Sequence, residues 1–152
     1  MVEVELVQLI GDIIVTSLSG AAGSYYMKKN LKRRMEEDEA APTIRKGIDA
    51  SREEISIMGN DPLVEAVWGS LIEKSFEADP PEIRLITLSE RYRLSGHSLI
   101  IRVLDYDPQE VIAVFDNKLA VYGPYDNIVK QAKPNAIQSR RESYETLWRK
   151  AV

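Results

Sequence analysis

Two apolar runs, residues 111–115 and 119–122, flank Asp116, Asn117 and Lys118. β-branched and aromatic residues dominate both runs, which predicts a pair of strands. Asp and Asn tolerate the left-handed backbone of a tight turn, so the pair is expected to be a hairpin. Both faces of both strands are apolar, which places the hairpin inside a sheet and not at its edge.

The same pattern orders the rest of the chain. Residues 44–51 predict a short helix and 53–58 a first strand. Gly59, Asn60, Asp61 and Pro62 form a turn into a helix, with Asp61 expected as N-cap and Pro62 in the first turn. Within that helix, predicted to reach residue 78, Leu63, Val67 and Leu71 recur at fourth positions, as do Val64, Trp68, Ile72 and Phe76. This predicts a broad buried face with Trp68 between helix and sheet. Asp79, Pro80 and Pro81 stop the helix, and residues 82–87 predict the next strand. A strand, helix, strand unit implies a parallel pair joined by a crossover helix. Residues 88–96 read as a polar loop, 99–104 as a third strand and 105–108 as a turn into the hairpin. After Gly123 the chain to residue 135 reads as irregular, and residues 136–138 as a short strand. Ser139 and Glu142 have the spacing of a capping box, opening a last helix that buries Tyr144, Leu147 and Trp148.

The N-terminal stretch differs in character. Residues 1–37 read as one long helix with no charge from residue 13 to 27, followed by the basic run at 28–34 and the acidic run at 36–39. Three readings fit it. A membrane span needs about 20 mostly apolar residues, and the one-sided basic flank behind Tyr25 and Tyr26 fits a cytoplasmic end. In that case Ser19, Gly20, Gly23 and Ser24 would let two helices pack closely. The alternatives are a soluble helix pairing with its copy and a helix lying on a membrane surface. Residues 36–41, with Pro42 after them, read as a linker. The expected division is thus an appendage, residues 1–41, and an α/β domain, residues 42–152.

Composition narrows the function classes. The 152 residues carry 44% hydrophobic and 29% charged residues and a net charge of −4, against a dedicated nucleic-acid binder, so no nucleic-acid partner is expected. With no cysteine and one histidine, His97, there is no thiolate site and no histidine cluster, so no metal or cofactor is expected. Arg91, Arg93 and His97 lie in one polar stretch and are candidates for holding an anionic ligand.

The hairpin resembles the strand-turn-strand core of the phospholipase D superfamily. That family carries His-x-Lys, four residues, Asp, six residues and Gly-Ser-x-Asn. Asp116 and Gly123 stand at the right separation, while the histidine and lysine positions hold Gln109 and Val111. The serine and asparagine positions hold Pro124 and Asp126. The element order also matches one half of such a domain. The resemblance implies an α/β fold: a long N-terminal helix, then a phospholipase D-like mixed sheet with helices packed on it. It further implies that Asp116 would be catalytic in an active relative. In this chain the expected role of Asp116 and Gly123 is structural, Asp116 stabilising its turn. Glutamine cannot form a phosphohistidine and valine supplies no cation. The expectation is therefore no enzyme. Instead, a regulatory or interaction domain is expected, homodimeric and anchored at the cytoplasmic face of a membrane, with lipid or an unidentified protein as partner. The alternatives are a phosphodiesterase or nuclease with an atypical site, and a soluble cytoplasmic ligand-sensing module.

Overall fold

The computed structural model describes residues 33–35, 37–92 and 98–152. The chain divides into two compact units, Met1–Leu31 and Lys32–Val152. The elements that follow belong to the second. They are β1 (Arg33–Arg34), α1 (Glu37–Ala50), β2 (Glu54–Met58), α2 (Asp61–Ser75) and β3 (Glu82–Thr87). A short 3-10 turn (Glu90–Tyr92) leads to β4 (Leu99–Val103), β5 (Glu110–Phe115), β6 (Leu119–Pro124), β7 (Val129–Gln131) and α3 (Pro134–Lys150).

One mixed sheet runs β1-β7-β6-β5-β2-β3-β4. β2, β3 and β4 are mutually parallel, as the crossover through α2 requires, and β5 lies antiparallel to β2. The hairpin β5–β6 sits inside the sheet, and alternation along it explains its two apolar faces. Val111, Ala113, Phe115 and Val121 join a core with α1 and α2, whereas Ile112, Val114 and Ala120 join a second core with α3. The fold is thus a three-layer α/β arrangement, two helices on one face and one on the other. At Asp116 and Asn117 φ is 54° and 56°, and the Lys118 N–H donates to the Phe115 carbonyl at 2.8 Å, so the turn is the one its residues predict.

Several boundaries differ from expectation. Residues 33–34 are not helical. They pair with β7, and the Met35 N–H reaches the Ile128 carbonyl at 2.8 Å, so edge pairing outweighs the helical reading of a basic run. The stretch read as a linker forms the first turns of α1, which starts at Glu37 and not near residue 44. Pro42 lies inside this helix and removes one backbone donor. Burial of Ala40, Ile44 and Ile48 on a single face offsets that loss. Asn60, not Asp61, caps α2: its side-chain oxygen accepts the Leu63 N–H at 3.1 Å. The helix ends at Ser75, leaving Phe76 63% exposed instead of on the buried face. Trp68 is only partly buried, its ring 5.1 Å from that of Tyr92. The stretch after Gly123 contains β7. Ser139 lies within α3, whose start is fixed by Pro134, so the predicted strand at 136–138 and the capping box are both replaced by continuous helix.

The docking of α3 is specific. The Tyr144 hydroxyl reaches two main-chain carbonyls, of Arg84 at 3.0 Å and Ile57 at 3.2 Å. Arg84 pairs with Glu145 and lies 5.1 Å over the Trp148 ring. Arg102 lies 4.5 Å over the same ring and donates to the Trp148 carbonyl at 2.9 Å. Past the end of α3, Val152 and Val103 exchange both backbone hydrogen bonds at 2.8 Å, which covers part of the β4 edge.

Candidate functional site

The hairpin register brings the motif positions other than Asp116 to one end of the hairpin. Val111 is paired with Gly123 and Glu110 with Pro124, so Gln109 and Val111 lie beside the loop from Gly123 to Asp126. Gly123 has φ of 126°, and a Cβ there would meet the Asn127 carbonyl oxygen at 2.5 Å. Only glycine fits this position. Gln109 is exposed with φ of 63°, and its N–H donates to the Asp107 carboxylate at 2.7 Å. Val111 is fully buried among apolar neighbours.

Beside this end of the hairpin is a small cavity of about 260 Å³. Asn60, Pro62 and Leu63 at the start of α2 line it, together with Tyr125, Ala40 and Ile128. Tyr125 crosses it, its hydroxyl accepting the Asn60 N–H at 2.6 Å. Burial, reinforced by the nearby charges of Asp107 and Glu110, pushes this phenol up to about 12, against the smaller pull of the Asn60 N–H. Tyr125 therefore stays protonated at neutral pH. The described groups here are an amide, a phenol and carboxylates. No histidine or lysine is among the described residues that line this cavity.

Asp116 sits at the far end of β5, about 20 Å from Gln109 for seven extended residues. Its carboxylate accepts three backbone N–H groups: from Arg52 and Glu53 at 2.8 Å and from Glu54 at 2.9 Å. It clamps the loop that enters β2 as well as occupying its own turn. Burial works to raise its pKa, but the three N–H donors and the charge of Lys118 outweigh it, and the group is held below the ordinary carboxylate range. Glu145 is also held low, chiefly by its hydrogen bond with Arg84.

Asp116→Ala is expected to cost about 3 kcal/mol, since three donors lose their acceptor and water reaches only some of them. The pH dependence has a definite sign. A carboxylate with lowered folded pKa contributes stability above its unfolded value, near 4, and loses it as pH falls. Denaturant midpoints measured from pH 7 to pH 3 should therefore fall less steeply for Asp116→Ala than for the parent. Parallel curves would show that Asp116 is not this clamp.

Of the three candidate anion-binding residues, Arg93 and His97 lie outside the described residues. Arg91 is exposed but engaged. Its guanidinium contacts the Tyr92 hydroxyl and pairs with Glu65 at 3.6 Å. Its hydrogen bond to Tyr92, and the neighbouring charges of Asp61 and Glu65, raise its pKa. Ser19, Gly20, Gly23 and Ser24 also lie outside the described residues. Among the described residues no cluster of acidic or histidine side chains is placed to hold a metal, and no helix is long and apolar enough to cross a membrane.

No protein-family model matches the sequence, and no curated protein matches it. Solved structures do resemble it. NucT from Helicobacter pylori is 14% identical with a TM-score of 0.55, over 82% of this chain and 98% of that one. Nuc from Salmonella typhimurium, a phospholipase D family member, is 13% identical with a TM-score of 0.53, over 80% and 95%. TrmBL2, an archaeal chromatin protein with a novel mode of DNA binding, is 12% identical with a TM-score of 0.57, over 80% of this chain and 52% of its own length. The fold is therefore phospholipase D-like. The match spans nearly the whole of NucT and Nuc.

Proposed function

We propose that this chain is a phospholipase D-like module without the family's reaction, acting by interaction or regulation. The observation that carries the reading is the lining of the motif end of the hairpin. Gln109 and Val111 stand at the nucleophile and cation positions; Asp107 accepts the Gln109 N–H, and the charges of Asp107 and Glu110 reach the neighbouring Tyr125. A phosphodiester approaching this end meets like charge and no group to attack it. The distant clamp made by Asp116 supports a structural role for the one acidic motif position that is kept.

The second half of the proposal concerns where the module acts. The uncharged run at residues 13–27, flanked on one side by lysines and arginines, anchors the domain at the cytoplasmic face of a membrane, and its small residues pair two copies. Fractionation of the full chain tests this beside a Gly20→Leu, Gly23→Leu variant. The wild-type chain is expected in the membrane fraction, extracted only by detergent. The variant should remain there, because leucine adds apolarity, but should crosslink to itself far less. A wild-type chain found in the soluble fraction without detergent removes the anchor, and unchanged crosslinking removes the pairing.

A further inference from the structure

A second, larger groove lies away from the motif end, between α1 and strands β6 and β7. Its volume is about 530 Å³, within the range of roughly 300–1,000 Å³ typical of small-molecule sites. α1 forms one wall through residues three and four apart, among them Glu39, Thr43, Lys46 and Gly47. Leu119 and Lys130 come from the sheet side. The helix can lie this low because residue 47 is glycine: a Cβ there would stand 2.6 Å from the Phe115 ring.

Two cations, Lys46 and Lys130, line this groove. Arg84, Arg141, Lys74 and Arg91 each have a carboxylate partner. Lys46 comes from the helix wall and Lys130 from the sheet wall, and neither side chain forms an ion pair or hydrogen bond with a described residue. The register partner of Lys130 across the β1–β7 ladder is another basic residue, Arg33. Two ammonium groups lining one concave site make it locally positive, which favours an anion. Lysine acts on phosphate as a point charge with three rotatable donors, so two of them suit a tetrahedral oxyanion. The Thr43 hydroxyl adds a donor, while Leu119 and the small residues of α1 leave apolar surface for an organic body. Glu39, at one end of the groove, disfavours a ligand charged along its whole length.

We infer that the groove between α1 and β6–β7 binds a small organic phosphate, its phosphate held by Lys46 and Lys130. The phosphate could belong to a free phosphate ester or to a phosphomonoester lipid headgroup. Both are tested on the full chain, by calorimetric titration with adenosine monophosphate and by co-sedimentation with phosphatidylcholine vesicles with and without phosphatidic acid. Lys46→Gln and Lys130→Gln are compared with Lys150→Gln, an exposed lysine at the end of α3, after circular dichroism confirms that all three fold. Loss of one charge-assisted contact should weaken binding roughly tenfold. Nucleotide binding that weakens in both groove variants but not in Lys150→Gln is the expected result and assigns a free ester. Vesicle binding that depends on phosphatidic acid and weakens in the same two variants, without nucleotide binding, assigns a lipid headgroup. Binding of neither probe, or binding that either groove substitution leaves unchanged, overturns the inference.

Discussion

Replacing Trp148 with alanine is expected to destabilise the domain by roughly 3–5 kcal/mol, the range for truncating a large buried aromatic. The indole is 9% exposed and lies between two guanidinium groups, those of Arg84 and Arg102. It stacks at 6.1 Å on Tyr144, which is itself fully buried. Removing it leaves a void beneath the last turn of α3 and exposes the Arg84–Glu145 pair to water. The same substitution at Trp68 should cost clearly less, because that ring is only partly buried. Denaturant melts of the two variants check both values. A change below about 1 kcal/mol for Trp148→Ala would mean that α3 does not dock through this residue.

A lysine at position 111, where the resemblance to the phospholipase D superfamily puts a cation, should have an effect as large. Val111→Lys is expected to destabilise by at least about 3 kcal/mol, because an ammonium group without a carboxylate partner would enter a fully apolar site. Val111 is 0% exposed and shares a core with Ala113, Val121 and Ile128. The side chain at this position faces the core beneath α1 and α2. Urea melts check the prediction. A variant as stable as the parent would show that the position opens onto solvent, as a phosphate-holding lysine requires.

The central hairpin and the crossover unit were legible because their signals are local. β-branched runs, the Asp116-Asn117 turn and the proline stop after α2 all act within a few residues. β1 and β7 were not legible, being strands of only two and three residues, too short to show alternation. Pro42 and the acidic run concealed the first turns of α1, whose formation depends on burial of Ala40 and Ile44 against distant strands. In the site, the separation of Asp116 from Gly123 could be read from the chain. The partners of Asp116 could not, since the N–H groups of residues 52–54 lie more than 60 positions away. The engagement of Arg91 by Glu65 is likewise a tertiary fact. So is the placement of Lys46 and Lys130 in the lining of one groove, which no spacing along the sequence signals.

The proposal that Gln109 and Val111 stand in place of a nucleophile and a cation has its most direct test in turnover. Purified full chain, assayed with a chromogenic phosphodiester from pH 5 to pH 9, is expected to release product no faster than buffer alone. Hydrolysis that survives repurification and disappears on Asp116→Ala, in protein shown to remain folded, would contradict the account.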